Sequence, residues 1–204
     1  MPDPSLVVYI VDDDASIRDS LGLLLGLRGY SSAQFASAED FLEALHDHWS
    51  GCVLADLRLP GLDGLRLQEE LKRRGSHLPV VFITGHGDVG AARAAFKADA
   101  VDFIEKPFDD DSVIRAIESA FGRESVRIEH QDAESARNEA LARLTTRERE
   151  VALLLAAGLH NRAIAAKLAI SSRTVEVHKA RIMEKLDAHS IADLIRITAS
   201  RSPA

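Results

Sequence analysis

The 204-residue chain carries 25 Lys/Arg against 32 Asp/Glu, a formal net charge of −7, with 46% hydrophobic and 28% charged residues. This is the balance of a globular chain able to build one large or two small cores. No apolar run approaches the ~18 residues a membrane span needs, and the first residues show no signal-peptide pattern, so a cytoplasmic protein without a membrane partner is expected. The single cysteine, Cys52, excludes an intramolecular disulfide and a thiolate zinc site.

The charge is unevenly spread. Residues 1–122 hold 11 Lys/Arg against 21 Asp/Glu, a net of −10, whereas residues 142–204 hold 11 against 6, a net of +5. Opposite signs predict two domains with different partners, over 1–122 and 142–204, joined by 123–141. Only the second suits a polyanion.

In chain order, residues 6–11 form an apolar run that ends in Asp12, Asp13 and Asp14. A helix over 15–28 follows, stopped by Gly29. A short strand over 31–35 precedes a helix over 38–46 with Ser37 and Asp40 as a capping box. Residues 51–55 are an apolar strand leading directly into Asp56, followed by a Pro/Gly-rich loop and a helix over 65–74. A fourth strand over 79–83 ends at Thr84. A helix over 89–98 and a fifth strand over 101–105 follow, the strand ending at Lys106 and Pro107. Residues 110–121 close the domain as a helix with Val113, Ile114, Ile117 and Phe121 inward.

This alternation predicts an α/β doubly wound, five-stranded parallel sheet of the flavodoxin/CheY-like kind. Right-handed crossovers put all strand carboxyl ends on one edge, so Asp12, Asp13, Asp56, Thr84 and Lys106 converge. Any one of these acids alone reads as a helix cap or turn former. Together, clustered carboxylates call for a hard cation, and Mg²⁺ suits an all-oxygen site. A carboxylate beside Mg²⁺ and a lysine can attack a phosphoryl group to give an aspartyl phosphate. Lys106 and the metal then offset the charge on the transferring group, and Thr84 donates to a phosphoryl oxygen.

These segments resemble the two-component response regulators, through Val11–Asp12–Asp13–Asp14, Val53–Leu54–Ala55–Asp56–Leu57–Arg58, Val81–Phe82–Ile83–Thr84 and Asp102–Phe103–Ile104–Glu105–Lys106–Pro107. The resemblance implies a receiver domain with Asp56 as phosphoacceptor. It implies Asp13 and Asp56 as direct Mg²⁺ ligands with the backbone carbonyl of Arg58, and Asp12 as a water-mediated one. It further implies Thr84 and Phe103 as a switch pair and a cis Lys106–Pro107 peptide that aims the ammonium at the site. Where the family usually has Gly, this chain has Asp99, which accepts a left-handed turn less readily.

Residues 123–141 predict an exposed, partly helical linker, one that can extend the last receiver helix. Beyond them, Thr145 or Thr146 caps a helix through Ala157. Residues 161–168 and 173–186 form a helix-turn-helix pair across a turn at 169–172, and 190–198 a fourth helix. On the 173–186 helix, Val175, His178, Ile182 and Leu186 share the inner face, with His178 read as a satisfied core histidine. Arg173, Thr174, Glu176, Val177, Lys179, Ala180, Arg181 and Lys185 remain for phosphates and base edges. Leu144 to Ile197 resembles the LuxR-type output domain, and Thr84–Gly85–His86–Gly87–Asp88 with Thr174–Val175–Glu176–Val177–His178 resembles the FixJ-like group within the response regulators.

The expected function is a phosphorylation-activated transcription regulator. It receives phosphate on Asp56 from a partner histidine kinase with Mg²⁺, dimerises, and binds an operator in double-stranded DNA, with RNA polymerase as a further partner. Receiver pairing is assigned to Val89, Ala92, Phe96, Val101 and Phe103, and output-domain pairing to Ile191, Leu194 and Ile195. Two rivals stand beside it. A constitutive receiver dimer would bind DNA whatever its phosphorylation. An Asp-nucleophile phosphatase would need an Asp-x-Asp arrangement that Asp56–Leu57–Arg58 lacks. No turnover enzyme is therefore expected, only self-phosphorylation and slow self-dephosphorylation at Asp56.

Overall fold

The computed structural model describes Asp3 and residues 5–85 and 100–198. The predicted helix over 89–98, the loop of His86, Gly87 and Asp88, and Asp99 lie outside the described residues. So do the pairing residues Val89, Ala92 and Phe96. The chain divides into two compact units, residues 1–127 and 128–204.

In the first unit, strands β1 (Val7–Val11), β2 (Ser31–Phe35), β3 (Gly51–Asp56), β4 (Val80–Thr84) and β5 (Asp102–Glu105) form one parallel sheet in the order β2-β1-β3-β4-β5. β3 and β4 are buried along their whole length, which is why they read as unbroken apolar runs rather than alternating ones. Tyr9, Val11, Val53 and Phe82 face a core completed by Phe41 and Leu67.

Among the described residues, the helices of this unit are α1 (Ala15–Leu27), α2 (Ala38–Ala44), α3 (Gly64–Arg73) and the start of α4 (Asp110–Ala142). Their starts follow from local chemistry. Asp14 accepts from the Ser16 N–H at 2.8 Å, Ser37 from Asp40 at 3.0 Å, and Asp63 from Arg66 at 2.8 Å. Gly29, at φ 83°, ends α1 in the left-handed conformation a glycine adopts without strain.

The second unit holds the rest of α4, then α5 (Thr146–Ala156), α6 (Asn161–Leu168), α7 (Ser172–Lys185) and α8 (Ile191–Thr198). Thr145 and Glu148 close a reciprocal capping box on α5. Ser171 caps α7 after a turn in which Ala169 takes a left-handed φ of 54°. Val151, Leu155, Ile164, Val175, Ile182 and Leu194 form the core. Among the described residues, no helix is long and apolar enough to cross a membrane.

Residues 123–141 are continuous helix within α4, the extension of the last receiver helix that the sequence allows, but the expected exposure needs a correction, because they are not exposed throughout. Glu124 is 1% exposed, and its carboxylate accepts from Arg127 Nε and Nη2 at 2.8 and 2.9 Å. An arginine three residues on lets this acid be buried as an ion pair.

Candidate functional site

The parallel register gathers the strand ends. Val11 pairs with Ala55, so Asp12 stands beside Asp56, and Ile83 pairs with Asp56 while Thr84 pairs with Glu105. Asp12, Asp13 and Asp56 each offer a carboxylate oxygen, and these lie within 4.8 Å of one another. Lys106, 94 positions from Asp12, closes the group. Its Nζ donates to Asp56 Oδ2 at 2.6 Å and to Asp12 Oδ2 at 3.0 Å. The Lys106–Pro107 peptide is cis.

The surroundings bias these groups. Burial raises the Asp12 carboxyl above the ordinary carboxylate range, and the Asp14 N–H and the Lys106 ammonium only partly offset it. Burial also pulls the Lys106 ammonium down, but its hydrogen bonds to Asp56 and Asp12, with their charges, carry it above the ordinary lysine value. Asp56 Oδ1 accepts from the Arg58 N–H and Asp12 Oδ1 from the Asp14 N–H, both at 2.8 Å. Thr84, 1% exposed, accepts the Lys106 N–H at its carbonyl at 2.6 Å. Phe103 on β5 is half-buried and packs against the sheet core.

The donor set fits a small hard cation. Asp12, Asp13 and Asp56 each bring a carboxylate oxygen to within 4.8 Å of the others, and such all-oxygen donors are what Mg²⁺ would take. The Arg58 carbonyl belongs to the loop immediately after Asp56. One ammonium among three carboxylates leaves the pit with an excess of negative charge, which a divalent ion would answer.

Two residues that the sequence pattern did not single out hold the loops around the pit. Arg18 Nη1 donates to the Asp12 backbone carbonyl at 2.6 Å. Glu39 Oε1 on α2 accepts from the Leu62 N–H at 2.9 Å and so ties down the loop between Asp56 and α3. A signal for Arg18 was available. Helical side chains lean toward the N-terminus, so a long cation early in α1 reaches back to the turn before it.

In the second unit, α7 buries Val175 and Ile182, and Leu186 is buried just past its end. The helix leaves Arg173, Glu176, Val177, Ala180 and Arg181 exposed, with Thr174 and Lys179 half-buried. Val177 is 46% exposed, an apolar group on the face that also carries Arg173, Glu176 and Arg181. His178 is half-buried as expected but not satisfied, since its Nδ1 is buried with no hydrogen-bond partner. Lys185 turns toward the protein, where its Nζ donates to Glu148 Oε2 at 2.6 Å. On α8, Leu194 is fully buried in the unit's own core and cannot line a pairing surface. Ile195, at 39% exposed, and Ile191, half-buried, remain on its outer side. Val101 and Phe103 are also half-buried.

Comparison with known proteins agrees with this division. Residues 8–118 match the response regulator receiver domain, and residues 142–198 match the bacterial regulatory proteins of the luxR family. The chain is 44% identical over 197 residues to the transcriptional regulatory protein FixJ of Azorhizobium caulinodans, covering 97% of this chain and 93% of that protein. It is 41% identical over 196 residues to the C4-dicarboxylate transport transcriptional regulatory protein DctR of Rhodobacter capsulatus, covering 95% and 100%. Among solved structures, the response regulator StyR superposes with a TM-score of 0.83 at 37% identity, over 94% of this chain and 96% of that one. Full-length FixJ from B. japonicum superposes with a TM-score of 0.60 at 42% identity, over 96% of each.

Proposed function

The chain belongs to the bacterial response regulators that join a receiver domain to a LuxR-type DNA-binding domain, and from that premise we propose a transcription regulator switched by phosphorylation of Asp56. Its receiver spans 1–122, its linker 123–141 and its DNA-binding domain 142–204. The observation that carries this reading is the meeting of Asp12, Asp13, Asp56 and Lys106 at one edge of the sheet. The names of its relatives FixJ and DctR, both transcriptional regulatory proteins, support the output half.

In this reading Asp13 and Asp56 hold Mg²⁺ with the Arg58 carbonyl, and Asp12 does so through water. The ion supplies charge neutralisation for the transferring phosphoryl group. An Asp56 carboxylate oxygen attacks the phosphorus of a phosphohistidine on the partner kinase. The O–P bond forms as the P–N bond breaks, and the imidazole leaves with the electron pair. Lys106, already 2.6 Å from Asp56, pairs with a phosphoryl oxygen. Thr84 donates its hydroxyl to another, and Phe103 repacks behind it. The surface over 89–105 then favours a receiver dimer, and two copies of α7 face operator half-sites about one helical turn (~34 Å) apart.

The test uses a small phosphoryl donor in place of the kinase. Acetyl phosphate with Mg²⁺ is expected to add one phosphoryl group per chain by intact mass, and Asp56→Asn to abolish the gain. No gain, or a gain that survives the substitution, overturns the reading.

A further inference from the structure

The three acids of the pit are held in different ways. Asp56 is fixed by Lys106 and by the Arg58 N–H, and Asp12 by Lys106 and the Asp14 N–H. Asp13 is exposed, and its carboxylate makes no hydrogen bond among the described residues. Its direction therefore depends on the backbone that carries it, above all on the plane of the peptide joining Asp12 to Asp13.

That peptide has a clamp. Its carbonyl is the Asp12 oxygen that accepts from Arg18 Nη1 at 2.6 Å. Arg18 is itself anchored to the same turn, its backbone N–H donating to the Asp14 carbonyl at 3.1 Å. One residue thus ties the turn to the first turn of α1 at both ends. The bond to Asp12 is the one hydrogen bond of this guanidinium among the described residues.

We infer that Arg18 is a positioning residue for the cation site: by holding the Asp12–Asp13 peptide it aims the Asp13 carboxylate at the point where the Asp12 and Asp56 oxygens converge. This rests on the Mg²⁺ reading of the pit. Two physical effects of Arg18 oppose each other. A guanidinium close to a divalent ion repels it, so removing the charge alone would tighten binding. Removing the clamp frees Asp13 and weakens binding, and partners that orient a metal ligand typically contribute 10–100-fold in affinity. The clamp is the dominant effect here, because among the described residues the Asp13 carboxylate has no hydrogen-bond partner of its own to hold it.

The sign of the change separates the two. Mg²⁺ is titrated calorimetrically into the full chain without a phosphoryl donor, and thermal unfolding is followed separately in chelator. Arg18→Met, which has neither charge nor donor, is expected to raise the Mg²⁺ Kd by roughly 10–100-fold with little change in metal-free unfolding. Arg18→Lys, which keeps a donor and the charge, is expected to restore it to within a few-fold of wild type. Unchanged or tighter binding by Arg18→Met overturns the inference. Should that variant not fold, Arg18→Leu takes its place, likewise with neither charge nor donor: weakened binding supports the clamp, and equal or tighter binding overturns it. Wild type showing no saturable heat that Asp13→Asn removes would instead sink the Mg²⁺ reading, a distinct failure.

Discussion

Glu148 shows how one buried acid can serve several structural needs. It is 3% exposed, takes the Lys185 ammonium at 2.6 Å and the Thr145 N–H at 2.9 Å, and so joins the start of α5 to the end of α7. The Lys185 ammonium, with the Thr145 N–H, holds its carboxyl down from an ordinary 4.5 to about 2. A carboxylate depressed in the folded state stabilises fully above its unfolded value and loses that contribution as pH falls through the folded one. The pair should therefore stabilise the second unit at neutral pH and fade from about 4.5 down to about 2. Lys185 is 38% exposed, so solvent screening limits the effect, and Glu148→Gln should cost about 1–2 kcal/mol at pH 7. Urea unfolding at a series of pH values checks this. The gap between wild type and variant must narrow on acidification, and a gap that is constant or widens contradicts the assignment.

At the scale of elements, the entry to α3 is as constrained as the strand ends it follows. A Cβ on Gly64 would stand 2.6 Å from the Asp56 carbonyl oxygen, 3.0 Å from Leu57 Cα and 3.1 Å from Phe82 Cε1. Two of these are backbone, so neither can rotate away. Gly64→Ala should cost about 1–3 kcal/mol as overpacking and slow phosphoryl uptake by displacing the end of β3. A midpoint shift equivalent to less than about 0.5 kcal/mol, the scale of an ordinary surface change, would show that the helix moves aside freely. Such close approaches are invisible in the sequence, where Gly64 reads only as a turn residue. The strand ends were legible because their signal is local: an apolar run stopping at Asp12, Asp56, Thr84 or Lys106 marks the end of a parallel strand, and topology does the rest. Leu194 was misread, and the partner of Lys185 missed, for the opposite reason. Whether a side chain on a helix meets solvent or a buried neighbour depends on what the fold brings opposite it. Glu148 lies 37 positions from Lys185, and periodicity carries no information about that.

For the whole molecule, the charge distribution limits how the proposed switch can work. Phosphorylation adds about −1.5 to −2 charge to a receiver region already at −10. The modification therefore cannot draw the chain to DNA electrostatically, and by itself it opposes binding. Any gain must come from geometry, and pairing supplies one: once one output domain is bound, the second binds at high effective concentration. This has a signature that a local change would lack. Each phosphate contact contributes about −0.9 to the slope of log affinity against log salt, and pairing would double the contacts proposed for Arg173, Lys179 and Arg181 on α7. The slope for an operator fragment should therefore become about twice as steep when acetyl phosphate is added. It should stay at the single-copy value for Asp56→Asn, with sizing showing a larger species only in the first case. Arg173→Ala with Arg181→Ala should flatten the slope of the phosphorylated protein by about four contacts' worth, twice the loss expected of a lone copy. Tighter binding at an unchanged slope would mean that phosphorylation acts on each chain separately, and pairing would then have to be abandoned as the source of the gain.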